Sequence, residues 1–162
     1  MTMMEEALAS ASDTKACVVG PGAQNGAAAM FRELFPAEAK AIVIEDPRTK
    51  AVAGRNVAAL LNGAGVEVSE YVVSPDGSDF HATYEKVEEV REAIRASGAV
   101  AVAVGSGTLN DLAKRASEEL RQRYMVVGTA ASMDGYTAYG AAITKDGMKQ
   151  TLSCKAPPWL HR

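Results

Sequence analysis

The clearest chemical feature of this chain is a glycine-rich turn, Gly105-Ser106-Gly107, that follows an apolar run at Ala99–Val104 and precedes a helical pattern. A strand without polar positions is typical of the middle of a parallel sheet, buried on both faces. A helix that begins directly after it presents free backbone N–H groups and partial positive charge at the sheet edge. Because glycine has no Cβ, a ligand can approach this backbone closely. The turn therefore predicts a site for a phosphate or pyrophosphate.

The spacing matches neither G-x-G-x-x-G nor the Walker pattern, since Thr-Leu-Asn follows Gly107. A tight turn without a ligand also fits the local pattern. Asp46 ends a second predicted strand, where an acid can accept hydrogen bonds from the ribose hydroxyls of a dinucleotide. Asp46 can equally cap the helix that begins at Pro47, and the two roles are compatible.

A second polar segment, Thr129–Tyr136, follows the predicted strand Tyr124–Val127 and should project from the same sheet edge. It carries the aliphatic hydroxyls of Thr129 and Ser132 and the carboxylate of Asp134 among small residues. Asp134 is either a turn former before Gly135 or an acceptor for the hydroxyls of a polyol.

Three segments together carry a resemblance to a known family. VGSGTLNDLAK (Val104–Lys114), TAASMDGYTAYGAAI (Thr129–Ile143) and TLSCKAP (Thr151–Pro157) are similar to the sn-glycerol-1-phosphate dehydrogenases. That family belongs to the group of glycerol dehydrogenases, iron-dependent alcohol dehydrogenases and dehydroquinate synthases. The glycine-rich turn is shared by the whole group, whereas Ala-Ser-Met-Asp-Gly-Tyr is characteristic of the glycerol-phosphate branch.

The resemblance implies a role for each matching position. The turn that would wrap the pyrophosphate of NAD or NADP consists of Gly105, Ser106, Gly107, Thr108 and Leu109. The segment that would line the cofactor consists of Thr129, Ala130, Ala131 and Ser132. Asp46 would contact the adenosine ribose, and Asp134 would contact substrate hydroxyls. The family usually has a cofactor-contacting serine where this chain has Ala138, and one lost hydrogen bond weakens binding by about 1 kcal/mol.

The resemblance also implies a reaction: hydride transfer between NAD(P)H and dihydroxyacetone phosphate, which gives sn-glycerol 1-phosphate. In the family a helical second domain supplies one Asp and two His to a catalytic zinc, and no segment here resembles that domain. His81 and His161 have no ligand-like spacing. We therefore expect no catalytic or metal-binding residue in this chain, and little or no dehydrogenase activity from it alone.

Two other functions remain open from the sequence. One is a stand-alone nucleotide-binding or regulatory module; the other is a fragment of a carbocyclic synthase related to dehydroquinate synthase, against which Ala-Ser-Met-Asp-Gly-Tyr counts. The choice between NAD and NADP is open as well. Asp46 favours a free 2′-hydroxyl, and nearby Arg48 could accommodate a 2′-phosphate.

The alternation of short β-branched runs with helical stretches predicts an α/β fold: a Rossmann-like three-layer domain with a mainly parallel sheet and a C-terminal β-hairpin. We expect a flexible N-terminus at 1–14, the dinucleotide-binding domain at 15–156 and a loose tail at 157–162. Predicted strands are Ala16–Gly20, Ala41–Glu45, Val66–Val73, Ala99–Val104 and Tyr124–Val127. Predicted helices are Gln24–Phe35, Pro47–Leu61, Asp79–Ser97 and Leu109–Arg121. The hairpin strands are Tyr139–Thr144 and Met148–Ser153, around Asp146-Gly147.

Composition narrows the range of partners. The 162 residues carry a formal charge of −3, which gives no basic excess for a nucleic-acid partner. No apolar run approaches the length of a membrane helix, and Glu5 and Glu6 stand where a signal peptide would be basic. Cys17 and Cys154 match no metal or redox spacing, which indicates two reduced thiols. We expect a cytoplasmic protein that acts on a small-molecule substrate, with no membrane partner. The face left by a missing second domain makes a homo-oligomer possible.

Overall fold

The computed structural model describes residues 2–130, 133 and 135–161, and for 159–161 only the backbone. Six strands form its main sheet: β1 (Ala16–Val18), β2 (Lys40–Glu45), β3 (Glu67–Val72), β4 (Val100–Gly105), β5 (Met125–Gly128) and β8 (Trp159–His161). They run parallel in the order β1-β8-β5-β4-β2-β3. β6 (Ala141–Lys145) and β7 (Met148–Leu152) form a separate antiparallel hairpin. The predicted α/β class, with its mainly parallel sheet and hairpin, is confirmed.

The α-helices are α1 (Met3–Ser10), α2 (Ala27–Leu34), α3 (Pro47–Thr49), α4 (Arg55–Gly63), α5 (Tyr84–Ser97) and α6 (Gly107–Glu119). Side chains of β4 alternate between two cores because successive residues of a strand point to opposite faces. Val102 packs in the core that α2 and α4 cover, together with Phe31 and Val57. Ala103 packs in the core that α5 and α6 cover. These two cores make the sheet the middle of three layers.

The predicted helix after β2 is interrupted. Asp46 caps α3, but Lys50–Gly54 form a π-helical turn before α4 begins. Such turns insert one residue into the helical repeat and are frequent at functional sites. The helix predicted from Asp79 begins only at Tyr84, with Thr83 as its N-cap, because residues 74–83 form the connection that rises over the sheet edge.

Both chain ends contain an element that the sequence analysis did not predict. Residues predicted to be a flexible N-terminus include α1, which a capping box of Thr2 and Glu5 closes and which buries none of its residues. The predicted loose tail contains β8, which lies between β1 and β5 and pairs with both. The sequence gives no local signal for this strand, because two prolines precede it and its hydrogen-bond partners lie far away along the chain. The carbonyl of Pro158 accepts a hydrogen bond from the Lys15 amide at 2.7 Å.

Candidate functional site

The glycine-rich turn lies at the carboxyl edge of the sheet, between β4 and α6. Ser106 is the N-cap of α6, and its carbonyl accepts the first helical hydrogen bond, from the Asn110 amide at 3.0 Å. The N–H groups of Gly107, Thr108 and Leu109 therefore precede the helical ladder. In the part of the chain that the structure describes, the Ser106 side chain caps none of them. The positive end of this 13-residue helix favours an anion, and of these three residues Thr108 is half-buried whereas Gly107 and Leu109 are buried.

The glycines of this turn are required by close packing and not by positive φ angles. Neither Gly105 nor Gly107 has a positive φ. A Cβ on Gly105 would lie 2.2 Å from Leu109 Cδ1, and one on Gly107 would lie 2.3 Å from Met133 Cε. The missing side chain at Gly105 thus leaves room for Leu109 in the core. The missing side chain at Gly107 leaves room for Met133, in the segment after β5. Leu109 itself is fully buried and does not line the cleft.

Asp46 lies at the same edge, one strand away, directly after β2. Its Oδ1 accepts hydrogen bonds from the amides of Arg48 and Thr49, both at 2.8 Å, and the Thr49 hydroxyl accepts one from the Asp46 amide. The predicted capping role is therefore present. No group among the described residues donates to Oδ2, so one carboxylate oxygen of the half-buried Asp46 is available to a ribose hydroxyl.

A cleft of about 340 Å³ joins these two features. Its lining residues come from the ends of β2, β3 and β4: Asp46, Pro47, Arg48, Gly77, Ser78, Asp79, Phe80, Ser106 and Thr108. The structure thus brings Asp46, the predicted ribose acid, and two residues of the predicted phosphate turn, Ser106 and Thr108, into one concave site, whereas Gly105, Gly107 and Leu109 do not line it. The sequence assigned no role to Gly77–Phe80. These residues follow a turn sequence, Ser74–Gly77, and only the order of the strands places them in the same cleft as Ser106.

The segment after β5 adjoins the turn, as predicted. The Thr129 amide donates to the Gly105 carbonyl at 3.0 Å, and Gly128 is the register partner of Gly105. Thr129 and Ala130 are half-buried and lie beside the turn rather than in the lining of the cleft. Ala131, Ser132 and Asp134 lie outside the described residues, so their predicted roles remain predictions.

Tyr136 lies in the segment that carries the family resemblance, and the sequence assigns it no role. Its side chain is 1% exposed, and its hydroxyl donates to the Gly105 carbonyl at 3.0 Å and accepts from the Ala130 amide at 3.2 Å. Its ring fills the space that a Cβ on Gly128 would need, 2.8 Å from Cζ. The hydroxyl therefore ties together the two segments predicted to contact the cofactor.

Glu45 is a fully buried carboxyl group immediately before Asp46, and neither of its oxygens has a hydrogen-bond partner among the described residues. Lys50 Nζ lies 3.5 Å from its Oε1 and 2.7 Å from Oε2 of Glu70. Burial, reinforced by the negative charge of Glu70, raises the pKa of Glu45 to about 7, although Lys50 opposes the shift. Gly54 of the π-helical turn makes room for the carboxyl group, since a Cβ there would lie 1.7 Å from Oε2.

Within residues 2–130, 133 and 135–161, no group of three or more His, Cys, Asp or Glu could hold a metal ion. His81 lines a second cavity, of about 240 Å³, with Thr108, Asp111 and Lys149. The side chain of His161 lies outside the described residues. Cys17 and Cys154 form no disulfide with each other. Among the described helices, none combines the length and the apolar character that crossing a bilayer requires.

Comparison with known proteins decides the family. The family model for iron-containing alcohol dehydrogenase matches residues 18–160, which is most of the chain. The chain belongs to this family. The resemblance to glycerol-1-phosphate dehydrogenases is confirmed by curated relatives named glycerol-1-phosphate dehydrogenase [NAD(P)+]. The protein from Halalkalibacterium halodurans is 34% identical over 120 residues, which cover 71% of this chain and 29% of the relative. The protein from Methanosarcina barkeri is 36% identical over 118 residues, covering 72% and 32%.

Two solved structures share the fold. Maleylacetate reductase from Rhizobium sp. strain MTP-10005 superposes with a TM-score of 0.74 at 26% identity, covering 93% of this chain and 41% of that one. A 1,3-propanediol oxidoreductase superposes with a TM-score of 0.77 at 17% identity, covering 91% and 43%, and shows the fold alone. This chain thus spans about a third of the length of its curated relatives.

Proposed function

We propose that this chain binds NAD or NADP in the cleft between Asp46 and the amino end of α6, as the cofactor-binding part of a dehydrogenase. The substrate pair would be dihydroxyacetone phosphate and sn-glycerol 1-phosphate, the reaction implied by the curated relatives' name and by the Ala-Ser-Met-Asp-Gly-Tyr segment. The described residues offer no fitting metal site, so the proposal gives the chain cofactor binding and no metal-dependent step. Cytoplasmic location and self-association remain predictions.

One observation carries the proposal: the cleft is lined both by Asp46, whose Oδ2 accepts no hydrogen bond from the described residues, and by Ser106 and Thr108 at the start of α6. A dinucleotide needs this combination, because its pyrophosphate is an anion and its ribose presents hydroxyl donors. The alternative, a tight turn without a ligand, would not require Asp46 to line the same cleft. A bound nicotinamide would accept or deliver hydride, while this chain holds the adenosine and pyrophosphate ends.

Isothermal titration with NADH and NADPH tests the proposal. Asp46→Asn keeps an N-cap acceptor but removes the charged acceptor for ribose, so the affinity for NADH should fall by roughly 10-fold or more, given ~1.5–3 kcal/mol for hydrogen bonds to charged groups. Glu67→Gln is the matched control, because it removes an exposed carboxylate at the opposite edge of the sheet. Absence of binding to the wild-type chain, or equal loss in both variants, would refute the proposal.

A further inference from the structure

Lys114 of α6 is a buried lysine without a carboxylate partner among the described residues. It is 1% exposed, and its Nζ donates to the carbonyls of Ala138 at 2.7 Å and Gly140 at 3.2 Å. Burial lowers the pKa of Lys114, and the charge of Asp111 partly offsets this effect. Burying an ammonium group on neutral carbonyls is expensive, so the contact calls for a reason beyond packing.

Both acceptors belong to the segment between the cofactor-lining residues and β6. Three alternate carbonyls of this segment, those of Tyr136, Ala138 and Gly140, accept hydrogen bonds from side chains of α6. Lys114 serves two of them, and Asn110 Nδ2 reaches the third at 3.5 Å. Asn110 and Lys114 lie on one face of α6 because they are four residues apart.

The same helix begins at the phosphate-binding turn. Its first amides would hold the pyrophosphate, while its middle holds the segment 135–140, next to Ala130 and Met133. Gly140 is fixed from the other side as well, since its amide donates to the Cys154 carbonyl at 2.8 Å. Contacts along α6 therefore set the distance between the two ends of the site.

We propose that Lys114 is a positioning residue that holds the segment after β5 at a fixed distance from the phosphate-binding turn. This inference rests on the proposed function, which supplies NADH as the ligand. The hydrogen bonds of Lys114 to the segment do not depend on that function. ADP would occupy only the ribose and phosphate part of the cleft, whereas NADH would also reach Thr129 and Ala130 after β5. Loss of Lys114 should thus weaken NADH binding while ADP binding is retained.

The experiment compares wild-type chain with Lys114→Met in titrations with NADH and ADP, and in hydrogen exchange of the amides at 135–140. We expect NADH affinity to fall at least 10-fold, ADP affinity to change less than twofold, and exchange at 135–140 to accelerate at least 10-fold. Leu112→Val is the control, because it weakens a core contact of the same helix and removes no hydrogen bond to the segment. It should leave exchange at 135–140 and the ratio of the two affinities unchanged.

Equal weakening of NADH and ADP, or unchanged exchange at 135–140, would overturn the positioning role. If the wild-type chain binds neither ligand, the proposed function fails, and the exchange measurement alone still decides the role of Lys114. If Lys114→Met does not fold, Lys114→Gln replaces it, since the amide keeps one N–H donor on a shorter side chain. The expected loss is then intermediate, and wild-type exchange at 135–140 in Lys114→Gln would overturn the inference.

Discussion

Glu45 is a carboxyl group that the fold shields from water beside the predicted ribose-binding acid. Its pKa is raised from 4.5 to about 7 by burial, with Glu70 adding to the effect. In the unfolded chain the group ionises near its ordinary value, so the folded state binds more protons between about pH 4.5 and 7. Stability from this group is therefore greatest below pH 4.5 and is lost as pH rises through 7.

Replacing Glu45 with glutamine should remove this pH dependence. We expect Glu45→Gln to unfold with a free energy about 1–3 kcal/mol higher than wild type at pH 8.5, because no buried charge must form. At pH 5 the difference should shrink toward zero, since Glu45 is then largely protonated. Urea unfolding at pH 8.5 and at pH 5 measures this difference in the free energy of unfolding. Glu67→Gln, an exposed acid, should change stability by less than about 0.5 kcal/mol at both.

Gly54 is the residue that admits Glu45 to the interior. Gly54→Ala places a Cβ 1.7 Å from Glu45 Oε2, and we expect a loss of roughly 1–3 kcal/mol as the carboxyl group is displaced. Gly63→Ala is the matched control at the end of α4, where a Cβ meets nothing within 4 Å. Thermal unfolding compares the two. A Gly54→Ala variant as stable as Gly63→Ala would show that the carboxyl group has other room.

At the scale of elements, the sequence was informative where the pattern is local. The apolar strand β4, the cap at Asp46 and the Asp146-Gly147 hairpin follow from alternation and turn chemistry, and all three are present. The interruption at Lys50–Gly54 has no local sequence signal, and its Gly54 packs against Glu45 of another element. β8 was missed for the same reason: a three-residue strand is defined by its neighbours β1 and β5.

The site was predictable to the same extent. Asp46 and the Gly105–Leu109 turn were found because each follows a strand that could be recognised, and parallel strands present their carboxyl ends at one edge. The position of Gly77–Phe80 in the cleft depends on the order of the strands. The buried contacts of Lys114 and Tyr136 depend on residues that are distant in sequence. No local pattern in 74–83 or in α6 carries that information.

Tyr136 couples two elements through one oxygen. Tyr136→Phe keeps the ring against Gly128 but removes the bonds to Gly105 and Ala130, and it leaves a buried carbonyl with one partner fewer. We expect stability to fall by about 1–2 kcal/mol and NADH affinity to fall several-fold, measured by thermal unfolding and titration. Tyr139→Phe is the control, since that ring is 67% exposed. Equal, negligible effects of both changes would contradict the coupling.

At the scale of the whole molecule, cofactor binding and turnover should separate. The chain spans 29% of the H. halodurans relative, and its described residues supply the edge of one sheet but no group suited to a metal. Hydride transfer to a ketone needs stabilisation of the developing alkoxide, which the resemblance attributes to zinc held elsewhere in the family. We expect this chain to bind NADH without oxidising it when dihydroxyacetone phosphate is added.

Absorbance at the NADH band, followed with dihydroxyacetone phosphate and with or without added zinc, measures this directly. Binding titrations on the same preparation show whether the cleft is intact, so that an inactive sample is distinguished from a misfolded one. Turnover that depends on Asp46 and needs no second protein would contradict the claim that this chain binds NADH without catalysing hydride transfer. The chain itself would then have to stabilise the alkoxide. Turnover unaffected by Asp46→Asn would instead indicate a contaminating dehydrogenase, since the cleft proposed here depends on that carboxylate.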